Sequence, residues 1–177
     1  LNTDSAVNLR FDAQSRLLQL VRGEILVTTG ADRRASSLAR PFVVETAQGM
    51  LRALGTRFSV RQFDDACALS VLDGAVEVTP QHAPSRAFVV QAGQQARFDN
   101  QQLQHTSQAD PVADAWASGM LVVHRMPLGE FINELARYRS GYLGCDTSVA
   151  QLLVSGTYPI DDTERVLDML SQSMPVR

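Results

Sequence analysis

The sequence contains no lysine: all sixteen of its basic residues are arginine. That excludes a phosphate-loop lysine, a Schiff-base lysine and a lysine general base together. Arginine-only usage fits a GC-rich coding sequence better than a dedicated site. Cysteine is scarce too, with Cys67 and Cys145 alone. They fall in what read as different structural units, so both are expected to be free and buried, and so low a count does not define the compartment. Aromatic residues make up 6%, with Trp116 the single tryptophan. No apolar run approaches the roughly 20 residues that span a bilayer. No spanning segment or signal peptide is therefore read in the chain as it stands. A basic excess is missing as well: the net charge is −3 and the isoelectric point about 5.6. No nucleic-acid partner is expected.

Catalytic constellations are equally sparse. There is no G-x-S-x-G elbow, no glycine-rich phosphate loop and no local signature around either cysteine. His82, His105 and His124 are dispersed, without a cysteine or carboxylate at ligand spacing, so no zinc site is expected. His82 and His105 read as solvated positions and His124 as the polar side of a half-buried strand. Asp64-Asp65 and Asp161-Asp162 are the raw material of glycosidase chemistry, but they stand where turns and helix caps belong. Trp116 could stack on a ligand; at a junction between units it reads as a packing wedge. Arg137 and Arg139 suit the C-terminal end of a helix dipole. The chain is thus read as a non-enzyme without a cofactor, a binding or signalling protein.

What the sequence has in quantity is alternation. The 177 residues, 45% hydrophobic and 20% charged, suffice for one or two globular domains. From Ala6 to about Thr106 the apolar pattern has period two, punctuated by glycines, as short antiparallel strands require. "LVRGEILVT" and "VLDGAVEVT" resemble each other, and "VVQAGQQARF" and "VETAQGMLRAL" are weaker copies. Arg22-Gly23, Asp73-Gly74, Gly93 and Gly49 are accordingly predicted as hairpin turns, and the half as a sandwich or solenoid-like stack. Gly55-Thr56 is predicted to bend one long strand so that its second half pairs with Cys67–Leu72.

After Asp110-Pro111 the period changes, and the domain boundary is placed there: 1–110 all-β, 111–177 mixed. "DPVADAWASG" reads as a short helix capped by Asp110 and ended by Gly119. "LVVHRM" reads as a strand, and Leu128, Phe131, Ile132, Leu135 and Tyr138 form the stripe of a helix that Gly141 ends. "YLGC" is read as a second short strand closing a βαβ unit. The pattern recurs in "QLLVSGTY", in Asp161 with Glu164 as a capping box before Val166, Leu167 and Leu170, and in Pro175-Val176-Arg177 as the start of a closing strand. The expected fold class is α+β: an all-β subdomain followed by a small βαβ repeat.

The stretch "VVETAQGMLRALGTRFSVRQFDDACALSVLDGAVEVTP" resembles the core of the FecR-type transmembrane sigma regulators (anti-sigma factors). Thr46, Gly49, Ala53, Gly55, Thr56, Phe58, Val60, Val71, Leu72, Gly74, Val76 and Val78 carry the likeness. Downstream, "AWASGMLVVHRMPLGEFINELARYRSGYLGCD" and "VSGTYPIDD" resemble the same family's C-terminal part, which is similar to the short secretin and TonB N-terminal (STN) domain. The resemblance implies the periplasmic portion of a single-pass inner-membrane protein of a Gram-negative bacterium. It also implies a relay. The N-terminal signalling domain of a TonB-dependent outer-membrane transporter, often for a ferric siderophore, docks here, and regulated proteolysis then frees or activates an extracytoplasmic-function sigma factor. The sigma factor and the membrane would be reached through a cytoplasmic segment and a transmembrane helix outside this chain.

Small βαβ units expose sheet edges that accept an added strand. The expected docking edges are Leu152–Tyr158 or Leu121–Arg125, with Leu121, Val123, Leu152, Val154 and Tyr158 as candidate partner-binding residues. The rival reading, a periplasmic module sensing a glycan or siderophore directly, needs a concave pocket with converging polar and aromatic groups. A third, an assembly module like the ring-building domains of secretins, predicts self-association.

Overall fold

A computed structural model of the protein describes residues 1–30, 40–53 and 55–174. The strand expected from Pro175 onward lies outside the described residues. The chain divides into two compact units, Leu1–Ala113 and Asp114–Arg177, and the fold is α+β.

The first unit is built from β1 (Ala6–Phe11), β2 (Arg16–Thr28), β3 (Phe42–Thr46), β4 (Gly49–Ala53), β5 (Arg57–Gln62), β6 (Cys67–Asp73), β7 (Ala75–Pro80), β8 (Phe88–Gln91), β9 (Gln94–Phe98) and β10 (Leu103–Gln108). They form one ladder in the order β10-β9-β6-β5-β2-β3-β4-β7-β8, with β1 paired to β2. The ladder is folded over on itself at β2. That strand pairs with β1 and, in parallel, with β3 through Arg16–Gln19, and then with β5 from Gly23 to Thr28. One layer is β1, the first half of β2, β3, β4, β7 and β8; the other is the second half of β2, β5, β6, β9 and β10. Alternate side chains of both layers meet in one core, with Val44, Leu51, Val76 and Val78 from the first and Phe58, Val60, Leu69, Val71 and Phe98 from the second. The Phe88 and Phe98 rings meet edge to face across the layers at 6.0 Å.

The repeated glycines do something other than predicted. Only the Gly49 copy is a hairpin, with β3 and β4 paired from Thr46 to Gly49 outward. At Gly23, Gly55, Gly74 and Gly93 the chain leaves one layer and enters the other, since β6 pairs with β5 and β9 whereas β7 pairs with β4 and β8. All four have positive φ, from +76° to +87°. Asp73 does not, because the positive-φ non-glycine residues are Asp4 and Arg125 among those described. A type I′ hairpin turn needs positive φ at both central positions; one such residue alone makes a corner. Gly55 likewise separates two strands in different layers instead of bulging one, and β5 does pair with β6. Three corners stack: Ala92 N–H donates to the Gly74 carbonyl at 2.9 Å and Gly93 N–H to that of Val71 at 2.8 Å, while a methyl added at Gly74 would run into the Gly55 carbonyl oxygen.

At the other end side-chain amides, Gln48 buried and Gln62 half-buried, tie the hairpin tips together. Gln48 Nε2 donates to the carbonyls of Phe63 and Asp64, both at 3.4 Å, and its Oε1 accepts from Cys67 Sγ at 3.1 Å. Gln62 Nε2 reaches the Val21 carbonyl at 2.9 Å while its Oε1 accepts from Ala47 N–H at 3.0 Å. These side chains satisfy loop groups that the ladder cannot reach.

The second unit has β11 (Met120–Pro127), α1 (Leu128–Ala136), β12 (Leu153–Pro159) and α2 (Thr163–Ser173). β11 and β12 pair antiparallel, Leu121 opposite Tyr158, so the parallel pairing that a βαβ unit requires is not formed. "YLGC" is not assigned as a strand: among the described residues Tyr142–Asp146 has no ladder partner. "DPVADAWASG" makes turns and a 3₁₀ turn, Ala115–Ser118, in place of an α-helix. Asp110 caps only a turn, accepting from Val112 N–H at 3.0 Å, whereas Gly119, left-handed at φ +78°, does end the element. α1 buries Leu128, Phe131, Ile132 and Leu135, and ends at Ala136 before Tyr138 and Gly141. Its first amides are satisfied by the preceding loop of β12: Leu128 N–H donates to Leu152 at 2.7 Å and Gly129 N–H to Ala150 at 2.9 Å. The cap of α2 is Asp162, one place beyond the predicted Asp161, accepting from Arg165 N–H at 3.0 Å. Glu164 is drawn instead to Arg139, 2.8 Å away.

Candidate functional site

The β11–β12 ribbon has one face against the helices and one face open. Val123, Val154 and Tyr158 are 5%, 1% and 8% exposed and belong to the core of the unit. The Tyr158 ring packs edge to face on Phe131 at 4.8 Å, and burial pushes its phenol pKa up. Leu121 and Leu152 are half-buried against the same cluster, and Leu152 precedes β12 rather than opening it. The structure thus brings the five predicted side chains together, but as the floor of a core. Val123, Val154 and Tyr158 point into that core, so a charge placed at Val154 would strike the fold of the unit.

What lies open is the outer face, carrying His124, Leu153, Ser155 and Thr157, with Leu153 45% exposed. The two outer backbone edges are open as well, because among the described residues each strand pairs only with the other. The edges differ. β11 is interrupted between Val123 and Met126, where Arg125 takes φ +50° and its N–H donates to Ser155 Oγ at 2.8 Å. Such a bulge kinks an edge and discourages pairing there. β12 has no charged residue from Leu153 to Pro159.

Other candidates resolve into structural roles. Among the described residues no three of His, Cys, Asp or Glu converge on a metal-sized site. Cys67 and Cys145 are both free. Cys67 is buried, and burial pushes its thiol up to about 11; Cys145, expected to be buried, is half-exposed. Asp65 pairs loosely with Arg97 at 3.4 Å, and Arg137 pairs with Glu134 one turn back on α1. A cleft of about 460 Å³ beside β2 is lined by Asn8, Gln19, Glu45, Gln62 and Gln81 without an aromatic ring. Its amides serve the fold: Asn8 Nδ2 donates to Gln19 Oε1 at 3.0 Å, and Gln62 holds the hairpin tips. A second cleft, about 420 Å³, lies between α1, α2 and residues 143–149. Nothing in the periodicity of the sequence announced it, because it depends on "YLGC" failing to find a partner.

Residues 1–77 match the model of the FecR protein family. Two crystal structures of a candidate anti-sigma factor from Parabacteroides distasonis ATCC 8503, at 2.50 and 1.65 Å, share the fold, with TM-scores of 0.74 and 0.71 and identities of 26% and 25%. Each match covers 100% of this chain and 82% of the solved one. No curated protein matches the chain. Residues 1–77 thus carry the FecR sequence pattern, and the chain shares the fold of these two anti-sigma factor structures.

Proposed function

We infer that this chain is the periplasmic signalling portion of a membrane-anchored sigma regulator. Its second unit, STN-like in sequence, docks the N-terminal signalling domain of a TonB-dependent outer-membrane transporter. The observation that carries the reading is the two-stranded ribbon whose helix-facing residues are buried while its backbone edges are not paired. An added strand satisfies those edges through main-chain hydrogen bonds, and the outward side chains of Leu153, Ser155 and Thr157 set its specificity. β12 is the better acceptor, since β11 carries the Arg125 bulge. No helix among the described residues is long and apolar enough to cross a membrane, so the signal would reach the sigma factor through segments beyond this chain.

Titration calorimetry against the isolated signalling domains of the transporters encoded nearby tests the reading. One-to-one binding to a single domain, lost in Leu153→Asp with the circular dichroism unchanged, supports it. Unaltered affinity in that variant overturns docking at β12. Heat from a siderophore or glycan, with none from any signalling domain, favours direct sensing instead.

A further inference from the structure

The segment Gly141–Cys145 is built like a strand and lacks a strand's partner. From Tyr142 to Asp146 it runs without a turn or bend. Its side chains alternate: Leu143 and Cys145 pack against the core of the second unit, while Tyr142, 95% exposed, and Gly144 face outward. Among the described residues, none of the backbone groups of Gly141, Tyr142, Leu143, Gly144 or Cys145 takes part in a backbone hydrogen bond. Exposed backbone of this kind is a template for another strand. Beside it lies the cleft of about 420 Å³, whose apolar wall is Leu128, Ile132, Val149, Leu167 and Leu170. An unpaired extended backbone and an apolar slot side by side match the two things a β-strand presents, a row of peptide groups and alternate side chains.

The charge at the rim narrows the occupant. Among the described residues Asp146 is the one charged residue lining the cleft. Hydrogen bonds from the Ser148 hydroxyl and amide hold its carboxyl below the usual range, so it is ionised at neutral pH. Asp168, exposed, follows Leu167 on α2. Among the described residues no arginine lines the slot.

We propose that Gly141–Cys145 is a second strand-acceptor site, distinct from the β11–β12 edges, that takes an extended segment of another protein with apolar alternate residues and a basic residue beside Asp146. The incoming strand pairs with the backbone of Tyr142–Cys145, seats one apolar side chain in the slot, and lies under the Tyr142 ring. Aromatic side chains at the edge of such a pairing supply contact area at low entropic cost.

The test uses hydrogen exchange on the full-length protein, with synthetic peptides of alternating valine and threonine ending in either arginine or glutamate. The amides of Tyr142–Cys145 are expected to exchange fast in the free protein and to become protected on adding the arginine peptide at millimolar concentration. The glutamate peptide is expected to bind about threefold or more weakly, the size of a rim charge pair, and Asp146→Asn to erase that preference. Ser171→Trp, at an exposed α2 position on the slot, is expected to abolish protection with circular dichroism unchanged. The proposal is overturned if these amides are already protected in the full-length protein, because the edge is then filled from within. It is equally overturned if neither peptide protects them, or if Ser171→Trp leaves protection intact. None of these readouts involves a transporter domain, so the outcome stands apart from that of the docking reading.

Discussion

The two units solve the same problem with opposite economies of backbone. In the first, ten strands share one folded-over ladder, tied across the sequence by the pairings β2-β5, β4-β7 and β6-β9, and two apolar faces close on a single core. In the second, two strands and two helices bury nine side chains around Phe131 and Leu135, but among the described residues the ribbon pairs with no third strand and Gly141–Cys145 with no partner. A sheet that folds over on itself spends its hydrogen-bonding capacity on its own stability. A small helix-backed ribbon keeps some of that capacity for another chain. The difference teaches where to look for partners in such a protein: where backbone, rather than a side chain, is left over.

That contrast can be broken most severely at Val154. Val154→Asp places a charge at a 1% exposed position in the smaller core, and is expected to cost about 3–5 kcal/mol, enough to unfold the second unit while the first keeps its own melting transition. Differential scanning calorimetry should show one transition lost and one retained; loss of both would mean that the units fold as one. A next, smaller effect separates the corners of the first unit. Gly74→Ala, strained at φ +77° and driven into the Gly55 carbonyl, should cost roughly 3 kcal/mol. Gly93→Ala, equally left-handed but facing open space, should cost about 1–2 kcal/mol from strain alone. Equal denaturation midpoints for the two would show that the corner stack does not confine Gly74.

A last effect, absent at neutral pH, sharpens the comparison under alkaline conditions. The Cys67 thiol stays protonated in the folded protein up to about 11, raised from 9.0 by burial. Its burial is therefore fully compatible with folding below pH 9, and stability falls as pH rises toward 11, because only the unfolded state ionises there. The loss should reach roughly 2 kcal/mol by the top of that window. Tyr158 in the second unit, raised by burial as well, adds a loss of the same sign at higher pH. Cys67→Val is expected to flatten the alkaline slope of the first unit only; an unchanged slope would locate it elsewhere.

Much of this was legible in advance because it is local. Alternation marked β2 and β4 to β9, and nearly every residue of the larger core sits on an apolar phase of that pattern, as Phe58 and Val60 or Val76 and Val78 do. The start and buried stripe of α1 were readable from Leu128 to Leu135, though its end was set too late, and the cap of α2 was readable within one residue. What the sequence did not show is which way the candidate docking side chains point: Val123, Val154 and Tyr158 are the apolar phase of strands, and that phase lies inward against α1 and α2.

The sequence by itself determined where strands and helices form, because side-chain period and glycine placement act within a few residues of one another. Only the tertiary structure decided what each glycine between strands would do. A left-handed glycine serves a hairpin or a corner equally well, and the choice at Gly23, Gly55, Gly74 and Gly93 was made by which distant strand was available to pair on the far side. The same non-local pairing left Tyr142–Cys145 with the alternation of a strand and no neighbour, since a ladder needs two partners and a sequence can write only one at a time.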